Sequence, residues 1–428
     1  MVEKLIEISL RNRFIVLILA LGLFIWGVIE MRKNPIDAIP DLSENQVIVF
    51  TEWMGRSPQV MEDQVTYPLV SNLQGIPKIK NIRGSSMFGM SFVYIIFEDN
   101  VDIYWARTRV LERLNYAQRL LPQGITPTLG PDGTGVGHIF WYSLEAPGYD
   151  LGELRALQDW YIKFGLQTVH GVSEVASFGG FQKQYQITID PNKLLYYNLS
   201  LMDVLKAAKS NNNDVGGRKF EMNDMGYIVR GLGYIKKIED VEKIPVGSKN
   251  SIPIRIKDIG TVQMGGDLRL GIFDQNGEGE VVGGIVVMRY GENADKVIKD
   301  VKVKLADLEK GLPPGVKFTY DYDRSTLIEE AIASVKHTLT EEMITVSIIV
   351  LIFLFNWRSA IIILIQMPIS IAVSFIFLNA FGISSNIMSL TGIALAIGVI
   401  VDDGIVMVEN SYRHISEAQL KEGEKNNV

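Results

Sequence analysis

The chain has 428 residues, enough for several domains, with 47% hydrophobic content and a formal charge of −7. It contains no cysteine, which excludes disulfides, zinc–thiolate sites and a thiol nucleophile. The negative balance gives no support to nucleic-acid binding. No nucleophile triad, phosphate loop or metallohydrolase motif appears along it.

The first predicted element is an apolar run, Phe14 to Ile29, without a charged residue. It is followed by Glu30, Met31, Arg32 and Lys33 rather than a small-x-small cleavage site, so it reads as an uncleaved anchor and not a signal peptide.

A long polar region follows, and it contains itself twice. "GIPKIKNIRGSSMFGMSFVYIIFED" (Gly75 to Asp99) matches the pattern of "HGVSEVASFGGFQKQYQITID" (His170 to Asp190): a Gly-centred turn, a short strand, a Gly/Ser loop and an alternating strand. Each follows an amphipathic helical pattern. Later, strand and helix lead to "LPQGI" (Leu121 to Ile125) in one copy and "LPPGV" (Leu312 to Val316) in the other. A β-α-β-β-α-β order is the ferredoxin-like split unit. The first copy is continuous. The second is expected to be interrupted between Asp190 and about Asp267 by a Gly/Asn-rich insert, read as a separate small domain.

Three further apolar runs follow: Met343 to Trp357, Ala360 to Phe381, and Asn386 to about Met407. The turn-forming "GISSN" separates the last two. A membrane helix needs about 20 apolar residues; these runs approach that length, although the Phe14 and Met343 runs are short. Pro368 inside the Ala360 to Phe381 run permits a kink. The basic residues Lys4, Arg11, Arg13, Arg358, Arg413 and Lys421 fall on one side if both chain ends are cytoplasmic. The region between the first and second runs is then external.

Ser359 to Val401 holds no charge, and it ends in "VIVDDGIVMVEN". An ionised carboxylate at mid-bilayer costs about 2.5–3.5 kcal/mol on insertion scales, so acids placed there are functional candidates by default, usually as proton relays or ion sites. Asp402 and Glu409 are seven residues apart and share one helix face. Asp403 is rotated from it by about 100°. Glu409, near Arg413, reads equally as a solvated group at the helix end.

The motifs "NPIDAIPDLSENQVIVFTEW" (Asn34 to Trp53), "EDQVTYPL" (Glu62 to Leu69), "YWARTRVLERLN" (Tyr104 to Asn115), "LGPDGTGVGHIFWY" (Leu129 to Tyr142), "LRALQDWYIKFGLQTVHGVSEVASFGG" (Leu154 to Gly180) and "NIMSLTGIALAIGVIVDDGIVMVEN" (Asn386 to Asn410) resemble the heavy-metal efflux branch of the resistance–nodulation–division (RND) transporters. The resemblance runs along essentially the whole chain. It implies an α+β membrane protein: two ferredoxin-like porter units and an inserted docking subdomain carried on the first four of twelve transmembrane helices, the N-terminal part of the RND fold. The implied division is residues 1–33 with the first span, 34–131 porter subdomain 1, and 132–190 the first part of porter subdomain 2. Then come 191–267 as docking subdomain, 268–335 as the rest of porter subdomain 2, 336–410 as spans two to four, and 411–428 as a cytoplasmic tail.

The resemblance also implies a bacterial inner-membrane location, a homotrimer, a periplasmic adaptor and an outer-membrane channel. It makes Asp402 the family's principal proton-carrying aspartate. Asp403 stands where the family commonly has a small residue. Divalent-cation members carry a further aspartate six residues before the main one; Ala396 stands there, which is similar to the monovalent copper/silver branch. Met388 and Met407 match methionines of that branch's proposed transmembrane relay, while Leu268 and Ile400 replace two others. Methionine in a membrane helix is also ordinary packing material. "MFGM" (Met87, Met90) and "EMNDM" (Met222, Met225) read as loop or packing methionines.

The implied function is proton-driven export of Cu(I)/Ag(I), with the metal as cargo and no resident cofactor. The alternatives are export of divalent cations or drugs, or a truncated, non-transporting assembly module.

Overall fold

The computed structural model describes residues 2–269, 271–354 and 357–425. Two helices open the chain, α1 (Val2–Arg11) and α2 (Arg13–Lys33), with the second covering the first apolar run. The first unit then runs through strand β1 (Gln46–Glu52), helices α3 (Pro58–Met61) and α4 (Tyr67–Leu73), and the hairpin β2 (Ile79–Met87) and β3 (Met90–Phe97). It closes with α5 (Ile103–Ala117) and β4 (Thr128–Leu129). The sheet order is β2-β3-β1-β4, all antiparallel, as the split unit requires.

Alternation builds its core. Val47, Val49, Val93 and Ile95 point to one side and meet Met61, Val65, Leu69 and Leu73 on one helix layer. Ala106, Val110 and Leu114 of α5, spaced four apart, supply the other stripe. The Asp102 carboxylate starts that helix by accepting from Trp105 N at 2.7 Å.

The second unit begins with β5 (Gly133–Glu145), α6 (Leu151–Leu157), α7 (Lys163–Gln167) and β6 (Val172–Phe178). Both units carry one turn of π-helix in the same element: Glu62–Thr66 between α3 and α4, and Gln158–Ile162 between α6 and α7. In each, the first π residue reaches a serine on the unit's second strand. Ser86 donates to the Glu62 carboxylate, and Gln158 donates to Ser177 at 3.4 Å. The two "LPxG" segments also make one turn twice. Ile125 N donates to the Pro122 carbonyl and Val316 N to that of Pro313, with Gly124 and Gly315 at φ +87° and +91°.

The repeat comparison set Lys183 to Asp190 opposite the first unit's third strand, and here the structure differs. The chain leaves the sheet at Gly179 and Gly180, both at positive φ, and runs into β7 (Lys183–Ile189), which pairs with β12 (Gly260–Gly266). Between these two strands lie α8 (Pro191–Tyr197), α9 (Leu201–Ser210), the hairpin β8 (Val215–Met222) and β9 (Met225–Gly231), and α10 (Ile238–Glu242). The hairpin β10 (Pro245–Lys249) and β11 (Ile252–Arg255), with α11 (Ile256–Ile259), completes the insert. A boundary at Asp190 therefore cuts a continuous ribbon, and so does one at Pro191.

The true third strand of the second unit is β13 (Val282–Arg289), followed by α12 (Ala294–Glu309) and β14 (Lys317–Asp323), giving the order β14-β5-β13-β6. The two sheets thus share one topology. β13 is apolar and buried along almost its whole length because strands flank it on both sides. Tyr142, buried in this unit's core, donates to Gln158 Oε1 at 3.0 Å. Tyr142→Phe would strand that acceptor, so we expect a loss of about 1–3 kcal/mol, read from thermal or urea unfolding; an unchanged midpoint would contradict it.

Three long helices end the fold: α13 (Arg324–Leu354), α14 (Trp357–Ala380) and α15 (Ile387–Lys425). With α2 they take in the four apolar runs to within a residue of their ends, except Phe355 and Asn356 of the second, which lie outside the described residues. Among the described residues, Arg13–Lys33 and Ile387–Ile415 are long and apolar enough to cross a membrane, whereas the apolar stretch Leu364–Ala380 is shorter. Four spans were expected, and two meet the test of length and composition. α2 packs on α14 so closely at Gly27 that a Cβ there would lie 2.2 Å from the Ala372 carbonyl oxygen. The expected polar tail continues α15 as helix to Lys425, and residues 426–428 lie outside the described residues.

Candidate functional site: the acidic helix and its joint to the second unit

Asn386 and Ser389 start α15 with reciprocal bonds: Asn386 N donates to Ser389 Oγ at 2.9 Å, and Ser389 N donates to Asn386 Oδ1 at 3.0 Å. Beyond this cap one face is apolar and packed. Ile393, Ile397, Ile405 and Val408 meet Leu339, Met343 and Val346 of α13 and Met367 and Ile371 of α14. Gly404 belongs to the same face. Gln366 of α14 lies over it, donating to the Ile400 carbonyl at 3.4 Å, and a Cβ on Gly404 would come within 2.6 Å of Gln366 Oε1.

Asp402 and Glu409 share a face, as their spacing dictates, beside this packing rather than within it, and both are exposed. Asp403 is exposed too, about 100° round the axis. Met388, fourteen residues before Asp402, falls on nearly the same face, and Met407 falls on another. Nineteen residues of helix separate the two methionines, about 28 Å of rise, so they do not converge on one ion. Among the described residues, no group of three or more His, Asp or Glu side chains is placed to hold a metal.

The helix is tied to the second α/β unit through its first turn. After α2 the chain runs beside the α14–α15 turn in a short parallel bridge, Ile36 to Ser385. Asp37 N donates to the Ser385 carbonyl at 3.1 Å, Ser385 N to that of Pro35 at 2.9 Å, and Ile387 N to that of Ala38 at 3.2 Å. Asn34 Nδ2 donates to Ser385 Oγ at 2.9 Å, and both residues are buried.

Asp37 then faces Arg324, the first residue of α13, at 3.4 Å, and Arg324 donates to the His138 carbonyl of β5 at 2.9 Å. The pair is nearly closed to water, at 13% and 6% side-chain exposure. Burial pushes the Asp37 carboxyl above its ordinary range, and the Arg324 guanidinium only partly opposes that. Burial, and then the charge of Arg324, hold His138 below its ordinary value. Ala38 and Ile328, beside Asp37 and Arg324, are embedded in the core of the second unit. A cavity of about 300 Å³ lies against the joint, lined by Asp37, Asp41, Thr134, Arg289 and Asn379 among others. Sequence reading missed this joint.

A movement of α15 near Asp402 can therefore reach the second unit through about four turns of helix and one buried ion pair.

Comparison with known proteins supports this architecture. Residues 5–427 match the AcrB/AcrD/AcrF family. The chain is 46% identical over 98% of its length to the cation efflux system protein CusA of Escherichia coli (strain K12), covering 40% of that protein. It is 38% identical over 99% of its length to the cobalt-zinc-cadmium resistance protein CzcA of Cupriavidus metallidurans, again covering 40%. The crystal structure of a heavy metal efflux pump superposes with a TM-score of 0.85 at 34% identity, over 96% of this chain and 41% of that one. The chain spans about two-fifths of the length of these relatives. Its relatives are thus cation and heavy-metal efflux proteins, and the chain itself belongs to the AcrB/AcrD/AcrF family.

Proposed function

We propose that this chain forms the N-terminal part of a proton-driven exporter of heavy-metal cations, Cu(I) and Ag(I) first among them. It works as the inner-membrane subunit of a tripartite assembly with a periplasmic adaptor and an outer-membrane channel. α2, α13, α14 and α15 are read as four spans with both ends cytoplasmic, and the two split units and the insert as external. The observation that carries the reading is Asp402: a carboxyl on the unpacked face of an apolar helix whose first turn is bonded to the joint with the second unit.

In this reading Asp402 takes a proton from the acidic outside and releases it inside. Each unit charge moved is worth about 2.3 kcal/mol per 100 mV. Glu409, on the same face, extends the relay toward the cytoplasm, and Asp403 stands beside it. Met388 and Met407, both exposed and far apart, serve as separate stations for a soft ion rather than as one site.

Ala396, where divalent exporters of the branch have an acid, favours the monovalent cations. A divalent cargo is the second reading, favoured by the 38% identity to the cobalt-zinc-cadmium resistance protein. A panel of metals decides between them. A whole transporter containing this chain should raise tolerance to Ag(I) and copper and leave zinc, cobalt and cadmium tolerance unchanged; the reverse pattern would overturn the cargo assignment.

The insert carries the assembly role. Every residue of β8 and β9 is exposed, including Phe220, Tyr227, Ile228 and Val229, which suits a contact with a neighbouring subunit of a trimer. Removing residues 215–231 should shift the assembly toward monomer in size-exclusion chromatography with light scattering. A trimer that survives the deletion would refute the docking role.

A further inference from the structure

Two hairpins in this chain close on a methionine pair. Met87 faces Met90 across Phe88 and Gly89 in the first unit, and Met222 faces Met225 across Asn223 and Asp224 in the insert. A cross-strand pair sets both side chains on one face, with Cβ atoms about 4.5–5.5 Å apart.

The first pair has company that the second lacks. The chain leaving β1 folds over the hairpin tip. Trp53 N donates to the Gly89 carbonyl at 2.8 Å, and Gly89 N donates to the Arg56 carbonyl at 2.9 Å. These bonds hold Met54 against the turn, its sulfur so near Gly89 that a Cβ there would sit 3.1 Å from Sδ. Glu52 is the register partner of Met90 and brings a carboxylate to the same side of the sheet.

Packing does not account for these methionines. None joins the unit's core, and Met54 and Met87 are 51% and 49% exposed. Thioether sulfur is a soft, neutral ligand suited to Cu(I) and similar ions. Three such ligands beside one carboxylate offer a single negative charge to a monovalent cation.

We propose that Met54, Met87 and Met90 form a surface site for a soft monovalent cation at the hairpin tip of the first unit, with Glu52 as its counter-charge. The identity of the cation rests on the export reading; the site rests on the geometry. It lies on an external unit, far along the chain from Met388 and Met407, and suits capture of the ion before transport.

The test uses the full chain in detergent micelles with 13C-labelled methionine methyl groups, titrated with Ag(I) alone. The signals of Met54, Met87 and Met90 should move together and saturate at one equivalent, ahead of those of Met222 and Met225. Met87→Leu should weaken this binding by more than about tenfold, since even outer-shell partners of a metal are worth 10–100-fold. Met222→Leu should leave it unchanged. Leucine conserves the volume of methionine, so both variants are expected to fold, and circular dichroism checks that they do. Signals that stay still at one equivalent, or binding indifferent to Met87→Leu, would overturn the site. So would Ag(I) taken first by Met222 and Met225. Ag(I) held only at Met388 or Met407 would remove this site and leave the export reading standing.

Discussion

Asp402→Asn is expected to stop cation export in a whole transporter containing this chain while leaving assembly and metal binding in place. Asparagine keeps the size and hydrogen bonding of the side chain and removes the titrating proton. Asp402 touches none of the apolar contacts that join α15 to α13 and α14, so the helix packing should survive the change. Glu409→Gln should lower the rate less, because that residue lies two turns further toward the polar end of α15, read above as cytoplasmic. Asp403→Ala should matter least, since its side chain points about 100° away from the Asp402 face. Metal uptake into inverted membrane vesicles gives the order directly. A variant series in which Asp403→Ala is the most severe would show that the relay runs along a different face of the helix.

Arg324→Ala should be the most destabilising single change at the joint. Removing one partner of a buried pair leaves an uncompensated charge and costs about 3–5 kcal/mol. Here the orphan is Asp37, whose carboxyl burial already pushes above its ordinary range. Without the guanidinium that rise grows. A carboxyl whose folded pKa exceeds its unfolded one contributes stability that is complete below the unfolded value and is lost as pH rises through the folded value. The deficit of Arg324→Ala should therefore be smallest in acid and widen toward neutral pH. Arg324→Lys should recover only part of it, because an ammonium cannot match the geometry that reaches both Asp37 and the His138 carbonyl. Thermal unfolding across a pH series reads all three. A deficit that shrinks as pH rises would contradict the buried-charge account.

How far the sequence led depends on whether partners are neighbours in the chain. Both faces of α15 were legible, because the seven-residue spacing of Asp402 and Glu409 needs only helical geometry. The first unit was legible for a similar reason: β2 and β3 form a tight hairpin, so their alternation lies in one stretch. In the second unit the same hairpin is split, and the strand next in sequence, Lys183–Ile189, has the right alternation but pairs with Gly260–Gly266. "VVGGIVVMR" looks unlike a half-exposed hairpin strand because it is buried between two neighbours. Its two glycines leave room for Tyr142, where a Cβ on Gly283 would lie 2.0 Å from the Tyr142 carbonyl oxygen.

The joint was illegible for a different reason. Asp37, Ser385 and Arg324 are each unremarkable in sequence, Asp37 lies hundreds of positions from the other two, and only the path of the backbone after α2 brings them together. Met54 is a similar case. "MFGM" was visible as a pair, but nothing in its spelling shows that Trp53 and Arg56 clamp the turn and bring a third sulfur to it.

The central claim, that a proton moving on and off Asp402 drives cation export, is tested most directly by the coupling itself. The whole transporter containing this chain, reconstituted in liposomes with a pH-sensitive dye inside, would be given an outward proton gradient and external Ag(I). The account predicts that Ag(I) enters as protons leave, and that Asp402→Asn abolishes both fluxes together. Ag(I)-dependent proton movement that persists in Asp402→Asn, or Ag(I) transport with no proton movement in the unsubstituted protein, would contradict it.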